Sequence, residues 1–380
     1  MTVRLTIAAA GRLVTSSMVD SAGAFLMCWT GPVRADVADV TRSSRRHPRR
    51  APFRGWPVGP YIAPDVHVTD QFQGSAMPGA QLVDAVAVVT GGASGIGRAL
   101  AERFAAEGAR AVVVADLDGE GAAAVAAGLR SPAALGVRLD VTEEAAIAAL
   151  AERVESEIGP VDLWISNAGV GGAPGLGTED EWRLAFGVHV MAHVYAARHV
   201  LPRMVARGRG HFLITASAAG LLTEMDTAPY SVTKHGSVAL AEWLAIQYGD
   251  SGVGFSCLCP QGVRTPMTAS FGVDSATLAA GGFLEPTDVA DAVVAALGDG
   301  RFLILPHPEV ADYERRRAGD RDRWLAGMRR VRAKLAGLRS TERAAGSTQP
   351  AGPATESTVM SADSAEKSAS SVGSNESMGA

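Results

Sequence analysis

The sequence predicts an α/β protein built as a doubly wound parallel sheet (the Rossmann fold), in one domain with disordered N- and C-terminal extensions. Three observations predict it. Between about residues 82 and 306, apolar runs of strand length alternate with Ala- and Glu-rich helical stretches. The first run leads straight into a glycine-rich turn, Gly91-Gly92-Ala93-Ser94-Gly95-Ile96-Gly97. Polar residues gather where later runs end, and in this fold ligands bind beyond the carboxyl ends of the strands. Strands that are apolar throughout are covered on both faces, and right-handed crossovers leave few other topologies.

Bulk properties bound the rest. The chain has 380 residues, 47% of them apolar, enough for a sizeable core. Its net charge of -5 supplies no basic face of the kind a nucleic acid needs. Cys28, Cys257 and Cys259 cannot build a disulfide framework. Cys257 and Cys259 share one face of a strand and read as core residues. No further Cys or His completes a metal set beside them, so no metal is expected. Reduced cysteines fit the cytoplasm. No apolar run approaches the roughly 20 residues that a membrane span needs.

Residues 1–80 show no sustained period. Their arginines, Arg42, Arg45, Arg46, Arg49, Arg50 and Arg54, are broken by Pro48 and Pro52, which reads as a solvated, disordered arm. Asp20 interrupts the early apolar stretch and weakens a targeting-peptide reading. Met77 stands just before the first strand, where translation of a compact domain could begin.

Residues 81–308 form the expected domain, with strands at 86–89, 111–115, 137–139, 163–166, 212–215, 254–258 and 302–305. The glycine turn follows the first strand and opens a helix at 98–107. Glycines permit the tight turn and close approach of backbone to phosphate, and the helix start offers unpaired N–H groups to a pyrophosphate. The second strand ends at Asp116, where a carboxylate accepts the ribose hydroxyls of NAD and repels the extra phosphate of NADP. No basic residue stands at Ser94 or just after Asp116, so NAD is expected and NADP is less favoured. Asp118 reads as a helix cap. The third strand closes with Asp140-Val141, positioned to meet an adenine. Asn167 closes the fourth, either beside the glycine turn at the switch point or as a simple turn residue.

Ser217 follows the fifth strand, and Tyr230 and Lys234 share one helix face at i, i+4. A phenol of ordinary pKa near 10 is a poor base at neutral pH, and a nearby ammonium lowers that value. Residues 309–340 read as one charged helix, with Leu325, Met328, Val331, Leu335 and Leu338 on one side, and 341–380 as a disordered Ser-, Ala-, Gly- and Thr-rich tail.

Together these residues resemble the short-chain dehydrogenase/reductase family in its single-domain form. The resemblance covers about residues 82–306. It rests on the turn at 90–97, Asn167-Ala168-Gly169, Ser217, Tyr230-Ser231-Val232-Thr233-Lys234 and Pro260-Gln261-Gly262-Val263-Arg264-Thr265. It implies that Tyr230 is the general acid/base, that Lys234 lowers its pKa and binds the nicotinamide ribose, and that Ser217 orients the substrate oxygen. Val263 and Thr265 would lie against the nicotinamide amide. It also implies a small-molecule alcohol or ketone substrate and a homodimer or homotetramer.

Two positions depart from the family pattern. His189 stands where the family places an Asn that holds a relay water, and Gln261 stands at a usual Gly. A histidine there could join the proton relay and make the rate pH-sensitive between about 6 and 8, or it could merely fill space. His193 and His199, on the same helix, read as packing residues. Leu221, Leu222, Met225 and the segment 267–283 are expected to line a pocket for a hydrophobic secondary alcohol or ketone. The rival readings are a non-catalytic dinucleotide-binding sensor or scaffold, and an epimerase or dehydratase. Intact Ser217, Tyr230 and Lys234 argue against the first, and the absence of a longer substrate domain after the Tyr/Lys helix argues against the second.

Overall fold

The computed structural model describes residues 5–9, 12–16, 78–172, 174–270 and 282–346. Seven strands form one parallel sheet: β3 (Val86–Thr90), β4 (Ala111–Asp116), β5 (Ala133–Arg138), β6 (Leu163–Ser166), β7 (Gly210–Thr215), β8 (Val253–Leu258) and β9 (Leu303–Ile304). Their order is β5-β4-β3-β6-β7-β8-β9. The chain therefore moves outward one way from β3, returns, and moves outward the other way from β6. This is the expected doubly wound sheet.

The apolar runs form strands because both of their faces are covered. In β3, Val86 and Val88 pack into one core cluster with Ile147, Leu150 and Val154 of α3 (Glu144–Glu157) and Ala196 and Val200 of α5 (Ala192–Arg207). Ala87 and Val89 point the other way, onto Leu100 and Phe104 of α1 (Gly95–Ala106) and Ala122 and Ala126 of α2 (Gly119–Gly128). The two-residue alternation of a strand thus feeds two cores at once.

Several boundaries differ from the expectation, each for a physical reason. β5 begins at 133 rather than 137. It is the edge strand, its first residues are exposed alanines, and only one neighbour pairs with it, so no apolar run marks it. Helix α1 starts at Gly95, inside the glycine turn, rather than at 98. The expected single helix over 309–340 is two, Glu309–Gly319 and Arg321–Gly346. Asp320 between them is extended, and its carboxylate accepts the N–H of Arg323, so it ends one helix and caps the next. Of the apolar stripe, Leu325 and Val331 are exposed, while Met328 and Leu335 are half-buried.

In a separate unit of the chain, residues Leu5–Ala9 (β1) and Arg12–Ser16 (β2) pair antiparallel, where no element was expected. Five-residue strands are too short for a period to stand out, and Gly11 in the two-residue link is the sole turn signal. The arginine-rich segment 42–54, Met77 and the tail beyond 346 lie outside the described residues. Among the described residues no helix is long and apolar enough to cross a membrane.

Candidate active site

A cleft of about 460 Å³ opens at the carboxyl ends of the strands. Gly91, Ser94, Gly95, Ile96, Gly97, Asp116, Asp140, Val141, Asn167, Ser217, Tyr230, Lys234, Val263 and Thr265 all line it. Of the residues expected to be catalytic or to bind the cofactor, only His189 is not among those that line it.

The glycine turn is held by contacts that tolerate no side chain. Gly91 has φ +65, and a Cβ there would stand 2.7 Å from the Ala168 Cα. A Cβ on Gly97 would stand 2.1 Å from the Gly91 carbonyl oxygen. Asn167 closes this junction: its side-chain amide donates to the carbonyls of Thr90 at 3.0 Å and Gly91 at 3.3 Å. It is therefore a brace for the turn, at the switch point between β3 and β6. Ser94 precedes α1 without capping it through its side chain, so the first N–H groups of that helix face the cleft without an intrahelical partner. This cradle suits an anionic diphosphate.

Asp116 accepts the N–H of Ala93 and the N–H of Asp118, each at 3.0 Å, which fixes the carboxylate beside the turn. Asp118 caps α2 through the N–H of Gly121 at 2.9 Å, as expected. Asp140 accepts both the hydroxyl (2.7 Å) and the N–H (2.9 Å) of Thr142, and these bonds hold its pKa below the usual carboxylate value. Thr142, which also lines the cleft, was not singled out in the sequence; an Asp with a Thr two residues on was its available signal.

Ser217, Tyr230 and Lys234 come together from two elements. Ser217 follows β7, and Tyr230 and Lys234 ride α7 (Ala228–Tyr248). The Lys234 ammonium donates to the carbonyl of Thr215 at 3.0 Å and lies 5.8 Å from the centre of the Tyr230 ring. Burial pulls Lys234 down to about 8. Burial pushes the Tyr230 phenol up from its ordinary value, against a lowering hydrogen bond from Ser217. The direction is opposite to the lowering expected from Lys234: the cost of placing a phenolate in a buried site outweighs the Ser217 hydrogen bond, and Glu224 and Cys259 add to it.

His189 is fully buried on a π-helical turn, Gly187–Met191. Its Nε2 accepts the N–H of Val170 at 3.0 Å, so Nδ1 carries the proton and donates to the Thr233 hydroxyl at 2.8 Å. Thr233 in turn donates to the carbonyl of Pro229 at 2.7 Å. Burial first, then the Lys234 charge, holds the His189 pKa well below its ordinary value. Burial and these bonds therefore favour the neutral ring over the charge change between pH 6 and 8 that a relay histidine would show. The ring instead ties the segment after Asn167 to α7 as a neutral bridge, with its edge against Tyr230 at a centroid distance of 5.4 Å. His193 is a buried partner of the Ser166 hydroxyl at 2.6 Å, in keeping with a packing role.

Of the expected substrate wall, Leu221 and Leu222 are core residues, because the short helix α6 (Ala219–Leu222) turns them inward. Met267 lines the cleft, joined by Val170, Leu184 and Val188, whose apolar faces no motif announces. Residues 271–281 lie outside the described residues.

Comparison with known proteins agrees with this fold. Residues 85–275 match the family described as short chain dehydrogenase. The 1-deoxy-11-beta-hydroxypentalenate dehydrogenase of Streptomyces avermitilis is 37% identical over 236 residues, covering 60% of this chain and 87% of that protein. The meso-2,3-butanediol dehydrogenase of Serratia marcescens is 34% identical, covering 57% and 89%. Among solved structures, a short chain dehydrogenase/reductase from Burkholderia phymatum in complex with NAD is 34% identical with a TM-score of 0.57, covering 63% of this chain and 95% of that one. The match is to a family of oxidoreductases, and a doubly wound sheet with a cleft at its switch point is an arrangement that takes dinucleotides. The chain belongs to the short-chain dehydrogenase/reductase family.

The buried histidines make a testable contribution to stability. His193 is held at about 3 and His211 at about 4 by burial, and His189 is lowered in the same direction. Below about pH 6.5 the unfolded chain binds protons at these rings and the folded chain does not. Their contribution is whole above that pH and is lost as pH falls towards the folded values. Urea unfolding between about pH 7 and 4 should show stability declining, and His189→Asn should flatten the decline. An unchanged slope in the variant would show that His189 takes up its proton in the folded protein.

Proposed function

We propose that this protein transfers a hydride between NAD and a secondary alcohol or ketone of apolar character. The observation that carries the reading is the convergence of Ser217, Tyr230 and Lys234 on the cleft that the glycine turn opens. Bound at the turn, NAD supplies the hydride acceptor for alcohol oxidation, at nicotinamide C4. The chain supplies the proton chemistry. Ser217 donates to the substrate oxygen and orients it; Tyr230 takes the hydroxyl proton as the substrate C–H bond gives up its hydride, leaving a ketone. In reduction the same phenol returns the proton to the carbonyl oxygen. Lys234, in its charged form, favours the phenolate and binds the nicotinamide ribose. Asp116 accepts the adenosine ribose hydroxyls, Asp140 and Val141 border the adenine, and Val263 and Thr265 border the nicotinamide amide.

The apolar substrate is supported by Val170, Leu184, Val188 and Met267 along the cleft. A homodimer or homotetramer is supported by Trp243 and Ile246, 52% and 79% exposed on the outer face of α7. The paired free thiols of Cys257 and Cys259 fit a cytoplasmic setting.

Three outcomes follow. Tyr230→Phe should lower kcat for NADH formation from cyclic secondary alcohols by about 10²- to 10⁴-fold and leave NAD affinity within a few-fold; turnover at the wild-type rate would remove Tyr230 from the chemistry. The native protein should prefer NAD, and Asp116→Ala should weaken NAD by about 10- to 100-fold while improving the relative use of NADP. Equal use of both cofactors by the native protein would refute the assignment of Asp116. In sedimentation, a Trp243→Glu/Ile246→Glu double variant should run as a smaller species than the native protein, and identical profiles would exclude this face as the subunit contact.

A further inference from the structure

Glu224 is half-buried in the loop between α6 and α7, and no step above uses it. Its carboxylate accepts the backbone N–H of Asp226 at 2.9 Å and that of Thr227 at 2.8 Å. Its carbonyl accepts the Ser231 hydroxyl at 2.7 Å. The loop is thus bonded to the first turn of α7, the turn that carries Tyr230.

That turn needs outside support. Thr227 makes no side-chain cap on α7, and Pro229 has no N–H to contribute. The carbonyl of Gly175 accepts the Ala228 N–H at 3.0 Å, and the Gly175 N–H donates to Asp226 at 2.7 Å. Glu224 supplies the remaining tie, with a negative charge at the favourable end of the helix. Just before it, Thr223 has φ +73 and ψ 112, a conformation that a β-branched residue adopts only when its surroundings impose it.

We propose that Glu224 is a positioning residue: its carboxylate clamps this strained loop onto the start of α7 and so holds Tyr230 against Ser217. The proposal rests on the reading of Tyr230 as the proton-transfer group. The carboxylate also acts through charge, since Glu224 pushes the Tyr230 phenol further up. Burial raises the carboxyl of Glu224 itself, the N–H groups of Asp226 and Thr227 oppose that, and the neighbouring Asp226 charge adds to it.

Two variants of the full chain separate the clamp from the charge. E224A removes both; E224Q keeps an acceptor oxygen for the two N–H groups and removes only the charge. With NAD and cyclohexanol, cyclopentanol or menthol as probes, E224A should lower kcat by about 10- to 100-fold with NAD affinity retained. E224Q should recover most of kcat and move the rising limb of the pH–rate profile for oxidation to lower pH. Wild-type kcat in E224A, or an E224Q as impaired as E224A with an unmoved profile, overturns the proposal. Should E224A fail to fold, the kcat and profile of E224Q decide alone. Tyr230→Phe run alongside distinguishes the two readings. Retained activity there removes the Tyr230 reading and this proposal with it. An inactive Tyr230→Phe beside a wild-type-like E224A overturns the Glu224 assignment alone.

Discussion

The junction between β3 and β6 is the constraint on which the rest depends. The Thr90 hydroxyl accepts the N–H groups of Asn167 at 2.9 Å and Ala168 at 3.1 Å and donates to the Ile165 carbonyl at 3.3 Å. The Asn167 amide returns two bonds to the first strand's end. Here the chain reverses its direction across the sheet, so the ends of two adjacent strands must part and leave a crevice. Parted strand ends expose backbone groups that neither strand satisfies, and buried groups of that kind are costly unless paired. Thr90 and Asn167 pair them and at the same time fix the glycine turn. A single polar cluster therefore stabilises the sheet and shapes the cleft.

The Ser217, Tyr230 and Lys234 side of the cleft is a second polar cluster, and burial sets its electrostatics. Lys234 and Ser217 are under a tenth exposed, and His189 and Thr233 are fully buried. The Ser237 hydroxyl donates to the His189 carbonyl at 2.7 Å and joins the same network. Satisfied networks of this kind hold one geometry, because breaking any member strands the others in a poor solvent. Their cost is electrostatic: the same burial that orders Lys234 and Tyr230 penalises the charged form of each. In the proposed reaction, the positive charge of oxidised nicotinamide acts against the penalty on the phenolate. Proton transfer is then favoured when the cofactor is in place, and the resting protein keeps its phenol protonated.

How much of this the sequence disclosed depended on whether one segment carried its own signal. Strands β3, β4, β6 and β8 were legible because both faces of each are covered, which leaves unbroken apolar runs. The glycine turn, Asp116 and the Tyr230/Lys234 pair were legible because backbone geometry or helix spacing dictates their residue types. β5 was placed several residues late because an edge strand with exposed alanines has nothing to distinguish it from a loop. The break at Asp320 was missed because its cue, a capping carboxylate, resembles the charges around it. The sequence could not choose between the two readings of His189, for a deeper reason. The acidity of an imidazole is set by what packs over it, and Lys234 and the Val170 N–H arrive from other parts of the chain. Glu224 was silent because its role lies in backbone groups two and three residues on, which appear only once the loop is folded.

The two halves of the cleft are built under different rules. The half lined by the glycine turn and Asp116 stands on strand ends, where the sheet dictates position. Its residues leave little latitude, as the close packing at Gly91 and Gly97 shows. The other half is walled by side chains on loops and short elements: Val170, Leu184, Val188 and Met267. A loop can exchange side chains without disturbing the sheet. Relatives of similar identity carry names as different as a hydroxypentalenate dehydrogenase and a butanediol dehydrogenase, and that division accounts for it physically. A shared fold can retain one hydride chemistry while the loop-built wall selects the molecule on which it acts. The identity of the substrate is therefore to be sought in the shape of that wall, rather than in the residues that mark the family.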